Sequence, residues 1–231
     1  MYSISKRAVT FSAIIGLITF LLVALGLTFK VKALHLVDLL TFNWWMTNYG
    51  EPQMTFTGFY ESYFTIFAKY FDVPTVVIAI LILAAYLAVK KYYSLALWVM
   101  YVVASGGLIG LMLKRLFHRA RPYDHLLADG GFSFPSGHTL SSSVLFMIVI
   151  ITLTPKLKNR YVRCIVYTLS AVIWESVMFS RMYFHAHFFT DVLGGMAFGL
   201  FWVMFNLLLF NRLDRLVSRF LKNNRTLIWM Q

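Results

Sequence analysis

Six apolar stretches, each about as long as a bilayer is thick, constrain this chain more than any other feature. They run from about Ala8 to Phe29, Val73 to Val89, Tyr93 to Leu113, His138 to Leu153, Tyr161 to Phe179 and Thr190 to Phe210. A helix of about 20 residues crosses roughly 30 Å of hydrocarbon, so each stretch can span, the second and fourth with help from their flanks. Backbone in lipid must satisfy its own hydrogen bonds, and the period-2 alternation of a membrane barrel is missing. The expected fold class is therefore all-α: one polytopic membrane domain over residues 1–231, with six transmembrane helices. Composition agrees, with 60% hydrophobic and 13% charged residues, against about 25% charged in soluble domains. In so apolar a chain the net charge of +12 belongs to membrane flanks rather than to nucleic-acid binding. A single cysteine, Cys164, excludes an intramolecular disulfide and a Cys-based zinc cluster.

Lys6 and Arg7 precede the first span, whose apolar run is longer than the 7–15 residues usual in a signal peptide, so a retained helix is expected. With the N-terminus inside, the cytoplasmic side collects 13 of the 21 basic residues, which predicts cytoplasmic termini. All six histidines (His35, His118, His125, His138, His185, His187) and seven of nine acids, all but Glu175 and Asp214, then fall on or near the outer face. The titratable chemistry is expected to be extracytoplasmic.

Residues 30–72, between the first two spans, are rich in aromatics and read as a pair of interfacial helices at headgroup depth. The tail, 211–231, alternates Arg212, Arg215 and Arg219 with Leu213, Leu216 and Phe220, the pattern of an amphipathic helix resting on anionic lipid. Gly106 with Gly110, and Gly195 with Gly199, have the spacing of close helix contacts.

Three clusters occur at the outer ends of the third to sixth spans. If the third helix continues, Lys114 and Arg121 share one face with His118 between them, and Pro122 turns the chain. Two cations on one stripe suit a phosphate. Pro135-Ser136-Gly137-His138 precedes the fourth span, where Gly137 lets backbone approach a ligand and Ser136 can cap the helix or bond an anion. Arg181 ends the fifth span. His187 and Asp191, four apart at the start of the sixth, can share a helix face, so that Asp191 holds the Nδ1 proton and leaves Nε2 as nucleophile or base. His118, Arg115 and Arg119 read either as extensions of an anion site or as a solvated basic flank. Glu175 reads either as a functional intramembrane carboxylate or as a neutral acid hydrogen-bonded inside the bundle, and His185 carries no assigned role.

Taken in order, Lys-x6-Arg-Pro, Pro-Ser-Gly-His and Ser-Arg-x5-His-x3-Asp resemble the signature of the type 2 phosphatidic acid phosphatase superfamily at Lys114, Arg121, Pro122, Pro135, Ser136, Gly137, His138, Ser180, Arg181, His187 and Asp191. The six-span layout is similar to the membrane branch of that superfamily. The first 110 residues carry no part of the signature. The resemblance implies that Lys114, Arg121, Ser136, Gly137 and Arg181 bind phosphate. It also implies that His187, oriented by Asp191, attacks phosphorus to give a phosphohistidine, and that His138 protonates the leaving oxygen. Neither a metal nor another cofactor is implied.

The expected substrate is a lipid phosphate or diphosphate at the outer face. Lys114, Arg121 and Arg181 already offset one phosphate, so surplus cations at Arg115, Arg119 or His118 point to a second phosphate and favour undecaprenyl diphosphate, with phosphatidylglycerophosphate as rival. The alternatives are a phosphatidate phosphatase of broad specificity and a non-enzymatic lipid or anion transporter. The vanadium haloperoxidases of the same superfamily are soluble, which six spans oppose.

Overall fold

The structure, a computed structural model, describes residues 2–124, 126, 130–221, 223–226 and 228–230. His125, Asp129 and Lys222, which enter the counts above, lie outside the described residues. The element order is β1 (Tyr2–Ile4), α1 (Lys6–Thr28), α2 (Lys32–Tyr49), α3 (Phe59–Tyr70), α4 (Val73–Val89), α5 (Tyr93–Phe117), α6 (Gly137–Thr152), α7 (Arg160–Tyr183), α8 (Phe189–Phe220) and β2 (Ile228–Met230). Among the described residues five helices, α1, α5, α6 with its following turn, α7 and α8, are long and apolar enough to cross a bilayer. Helix α4 has only 17 residues and makes a sixth candidate only when counted with α3, across a 56° bend. Asp72 makes that bend local, because its carboxylate caps α4 by accepting from the Thr75 amide at 2.8 Å.

The core is built on α8. Its face packs against α5 and α6 through Trp98, Val99, Val102, Ile148, Val203 and Phe210, all nearly or fully buried. The Trp98 indole donates to the Asn206 carbonyl at 3.1 Å, which satisfies the one polar atom of that large side chain. Between α6 and α8 the two backbones touch. A Cβ on Gly195 would lie 2.7 Å from the Ser136 carbonyl oxygen, and one on Gly199 2.9 Å from Ser143 Cβ. With little hydrophobic drive between helices in lipid, this close approach is what fixes the register of α6 on α8. The expected role of the Gly195/Gly199 pair is thus met. In contrast, α7 exposes most of its surface, Glu175 included, so that carboxylate is not inside the bundle as expected.

Helix α8 has 32 residues, about 48 Å of helix, so residues 211–220 of the tail continue the last span without a break. Asp214 is buried there and accepts from Asn224 at 3.0 Å and Thr226 at 2.9 Å, which folds the following chain back. Strands β1 and β2 pair in parallel, Tyr2 opposite Ile228, and the Arg225 amide donates to the Lys91 carbonyl at 2.8 Å. Both chain ends and the α4–α5 turn thus meet at one end of the bundle. The opposite end gathers the last turns of α5 and α7 and the first turns of α6 and α8, which are the three sequence clusters.

Candidate active site

Helix α5 runs past Leu113 but does not continue through to Arg121. It ends at Phe117, and His118 takes the left-handed conformation with φ 45°, its amide donating to the Lys114 carbonyl at 3.1 Å. Lys114 and Arg121 therefore do not share a helical stripe. Lys114 comes from the last turn of α5 and Arg121 from the loop beyond. His118 turns outward against the Phe132 ring, with centroids 4.4 Å apart, and Arg115 is exposed.

Even so, the loop brings the two cations together. Lys114 Nζ donates to the carbonyls of Phe132 at 2.6 Å and Ser133 at 3.3 Å. Arg121 donates to the carbonyls of Gly130 at 3.0 Å, Gly131 at 3.2 Å and Ala186 at 2.7 Å. Arg121 thereby clips the segment before α6 to the segment between α7 and α8. Ser136 is the N-cap of α6, but its side chain caps no amide; its hydroxyl accepts from Thr139 at 3.1 Å, and its own amide donates to the Asp191 carbonyl at 3.0 Å. A Cβ on Gly137 would meet Lys114 Cε at 3.8 Å, an ordinary contact, so its present neighbours alone do not require glycine there.

His187 sits where these parts meet, 3% exposed. Its Nε2 lies 3.3 Å from Arg121 Nη1. A guanidinium only donates, so Nε2 must be the bare, accepting nitrogen and Nδ1 must carry the proton. Nδ1 faces Asp191 Oδ2 at 3.6 Å, too long for a hydrogen bond, so among the described residues this buried nitrogen has the carboxylate beside it without being bonded to it. Burial first, then the charges of Arg181, Arg121 and Lys114, hold the proton affinity of His187 well below that of an ordinary imidazole. Arg181, in the last turn of α7, is almost fully buried, and its carbonyl accepts the His187 amide at 3.1 Å. His138, at the start of α6, is near enough to feel the charges of Arg181, His187, Arg121 and Lys114. All eight sequence-predicted residues therefore converge on one centre.

Asp191 is fully buried in the first turn of α8, where Oδ2 also accepts the Phe188 amide at 2.9 Å. Its Oδ1 accepts from Arg119 Nη1 at 2.5 Å. Arg119 was open to two readings in sequence and meets neither, because its other end reaches Asp38 Oδ2, also at 2.5 Å. Asp38 is a residue that sequence reasoning missed. The available signal was that it is the sole acid between Lys32 and Gly50, set in an apolar, aromatic helix. His185, between α7 and α8 with φ 51°, is buried against Asp124, Nδ1 to Oδ2 2.5 Å. Among the described residues no cluster of acids, histidines and cysteine could hold a metal ion.

Comparison with known proteins gives a consistent family. The model of the PAP2 superfamily matches residues 95–215. Phosphatidylglycerophosphatase B of Bacillus subtilis is 34% identical over 102 residues, 43% of this chain and 50% of that one. A lipid A 1-phosphatase of Rhizobium johnstonii is 29% identical over 127 residues, 50% of this chain and 48% of that one. The chain thus spans about half the length of these curated relatives. The crystal structure of a transmembrane PAP2-type phosphatidylglycerolphosphate phosphatase from Bacillus subtilis superposes with a TM-score of 0.65 at 26% identity, covering 91% of this chain and 99% of that one.

Proposed function

We propose that this chain, which belongs to the PAP2 superfamily, is a membrane lipid phosphatase that removes a terminal phosphate through a covalent intermediate on His187. The observation that carries the reading is the bare Nε2 of His187, aimed at Arg121 with Arg181 and Lys114 around it and Asp191 behind. Phosphate oxygens bind among the three cations and near Ser136 and the Gly137 amide. Nε2 then attacks phosphorus in line, forming the P–N bond as the bond to the lipid oxygen breaks, and His138 delivers the proton that the leaving oxygen needs. Water, giving a proton back to His138, hydrolyses the phosphohistidine and restores Nε2. The cations supply the positive charge that divalent ions provide elsewhere.

A lipid substrate is supported by an apolar groove of about 440 Å³ between α4, α5 and α6. It is lined from Met100 to Leu111 along α5, about 16 Å of helix, and at its upper end by Leu140 and Ser141, one turn from Lys114 and His138. A chain lying there stays in hydrocarbon while its headgroup reaches His187. With the basic residues biased toward the end that holds both termini, that end is cytoplasmic and the site faces outward. A terminal phosphate with no second phosphate bonded directly to it fits best. Arg119 is engaged by two carboxylates, and Arg115 and His118 are exposed, which favours phosphatidylglycerophosphate over a lipid diphosphate.

Purified protein in EDTA is expected to release inorganic phosphate from phosphatidylglycerophosphate in detergent, faster than from undecaprenyl diphosphate or phosphatidate. Absence of release from all three would overturn the phosphatase reading and favour an anion transporter. A second expectation concerns pH. Because the proton affinity of His187 is depressed, its working form persists as pH falls. The acid limb of kcat/KM, corrected for titration of the substrate phosphate, should lie clearly below the ordinary imidazole value of about 6.5. A limb centred at that value would argue against His187 as the attacking group.

A further inference from the structure

We propose that Asp38, acting through Arg119 and Thr190, is a positioning residue for the Asp191–His187 pair, so that helix α2 forms part of the active site although it contributes nothing that touches phosphate. This rests on the phosphatase reading for the roles of Asp191 and His187.

The contacts form one continuous chain. Asp38, 1% exposed, accepts the Thr190 amide on Oδ1 at 2.9 Å, and on Oδ2 the Thr190 hydroxyl at 2.7 Å and Arg119 Nη2 at 2.5 Å. The other arm of the same guanidinium, Nη1, donates to Thr190 Oγ1 at 2.7 Å and Asp191 Oδ1 at 2.5 Å. Its flat face lies 4.7 Å over the Phe188 ring. One planar, rigid fork therefore bridges two buried carboxylates that are 153 residues apart in sequence. Asp191 has one oxygen for Arg119 and the other for the Phe188 amide and His187 Nδ1. Arg119 thus sets the plane of that carboxylate together with the Phe188 amide and the Ser133 side chain, and Arg119 is held by Asp38.

Charge gives the arrangement a second effect. When both carboxylates are ionised, two acids and one arginine place a net charge of −1 behind the imidazole. Arg119 alone would neutralise Asp191 and weaken its hold on the Nδ1 proton, while Asp38 restores the balance. Without its partners, a buried charge in this network would carry a large desolvation penalty. Asp38 also caps α8 from another helix by taking the Thr190 amide, one of the donors left open at a helix start. A purely structural cap would account for that last contact. It would not account for the sharing of one guanidinium between Asp38 and the acid that faces His187.

The test uses the full chain in detergent with phosphatidylglycerophosphate. Asp38→Asn keeps the side-chain shape and removes the charge. It is expected to lower kcat about 10- to 100-fold, the range for outer partners of reactive groups, with KM within twofold of wild type. In histidine-labelled protein, the ¹⁵N signals of His187, assigned with His187→Gln, should show proton shifted from Nδ1 toward Nε2. Tyr63→Phe, which removes the Tyr63–Ser176 tie of α3 to α7, tests general loosening of the same segment and should leave both readouts unchanged. If Asp38→Asn does not fold, Arg119→Lys takes its place, since an ammonium keeps the charge but cannot bridge both acids; the same loss in kcat is expected. A kcat within twofold of wild type in the folded variant, or a lowered kcat with an unchanged His187 tautomer, would overturn the proposal and leave Asp38 as a cap. If wild type releases no phosphate, the phosphatase reading fails, and the tautomer signals alone decide whether Asp38 orders the pair.

Discussion

His187→Ala is expected to reduce phosphate release by about 10⁴-fold or more while the protein remains folded. On the proposed mechanism, losing His187 removes the covalent route itself and leaves cations that can only bind the phosphate and polarise it. The size of the effect follows from the environment. Nε2 is bare because Arg121 can only donate to it, and burial together with the surrounding positive charge keeps it so. The fold should tolerate the change, since His187 lies in the short segment between α7 and α8 and its backbone amide, not its ring, makes the bond to Arg181. Phosphate release and thermal unfolding, measured on the same purified samples, check both halves. Release close to wild type would mean that another group attacks.

Arg181→Lys should cost about 10² to 10³ in kcat, the scale of losing one aligned donor to a transition-state oxygen. The guanidinium ends α7, almost fully buried, on the same residue whose carbonyl holds the His187 amide. Lysine preserves the charge but is a compact point donor without the planar fork that spans two phosphate oxygens. Binding of the ground-state phosphate should suffer less than turnover, because in the proposed site three cations share that task, so kcat should fall more than KM rises. Kinetics of the variant across substrate concentrations decide it; a tenfold rise in KM with kcat intact would make Arg181 a binding residue only.

The candidate site was legible in sequence because its residues sit in short, ordered motifs, and the structure draws Lys114, Arg121, Ser136, Gly137, His138, Arg181, His187 and Asp191 to one end of the bundle. The spans were legible because lipid enforces length and apolarity. What escaped was set by tertiary contacts. The end of α5 depends on His118 adopting a left-handed turn, which a basic, helix-compatible run does not announce. The fate of Arg119 depends on Asp38, whose partner is more than 80 residues away, and a lone carboxylate in an aromatic helix has many ways to be satisfied. Glu175 was expected inside on cost alone, but only packing tells which face of α7 turns toward the bundle.

The pairing of the first span with the last has a consequence for how the chain assembles. Gly16 of α1 lies against α8 so closely that a Cβ there would fall 2.7 Å from the Phe201 amide nitrogen. The two residues are 185 positions apart, which at 5–20 residues per second is roughly 10 to 40 s of synthesis. During that interval α1 must persist in the bilayer as an independent helix, its groove for α8 filled by lipid. Only when the final span arrives can the parallel β1–β2 pair form and the first turn of α8 bring Thr190 and Asp191 to Asp38 and Arg119. The carboxylate proposed to orient His187 is thus seated only after α8 has been made, and the candidate site cannot assemble on the nascent chain before then.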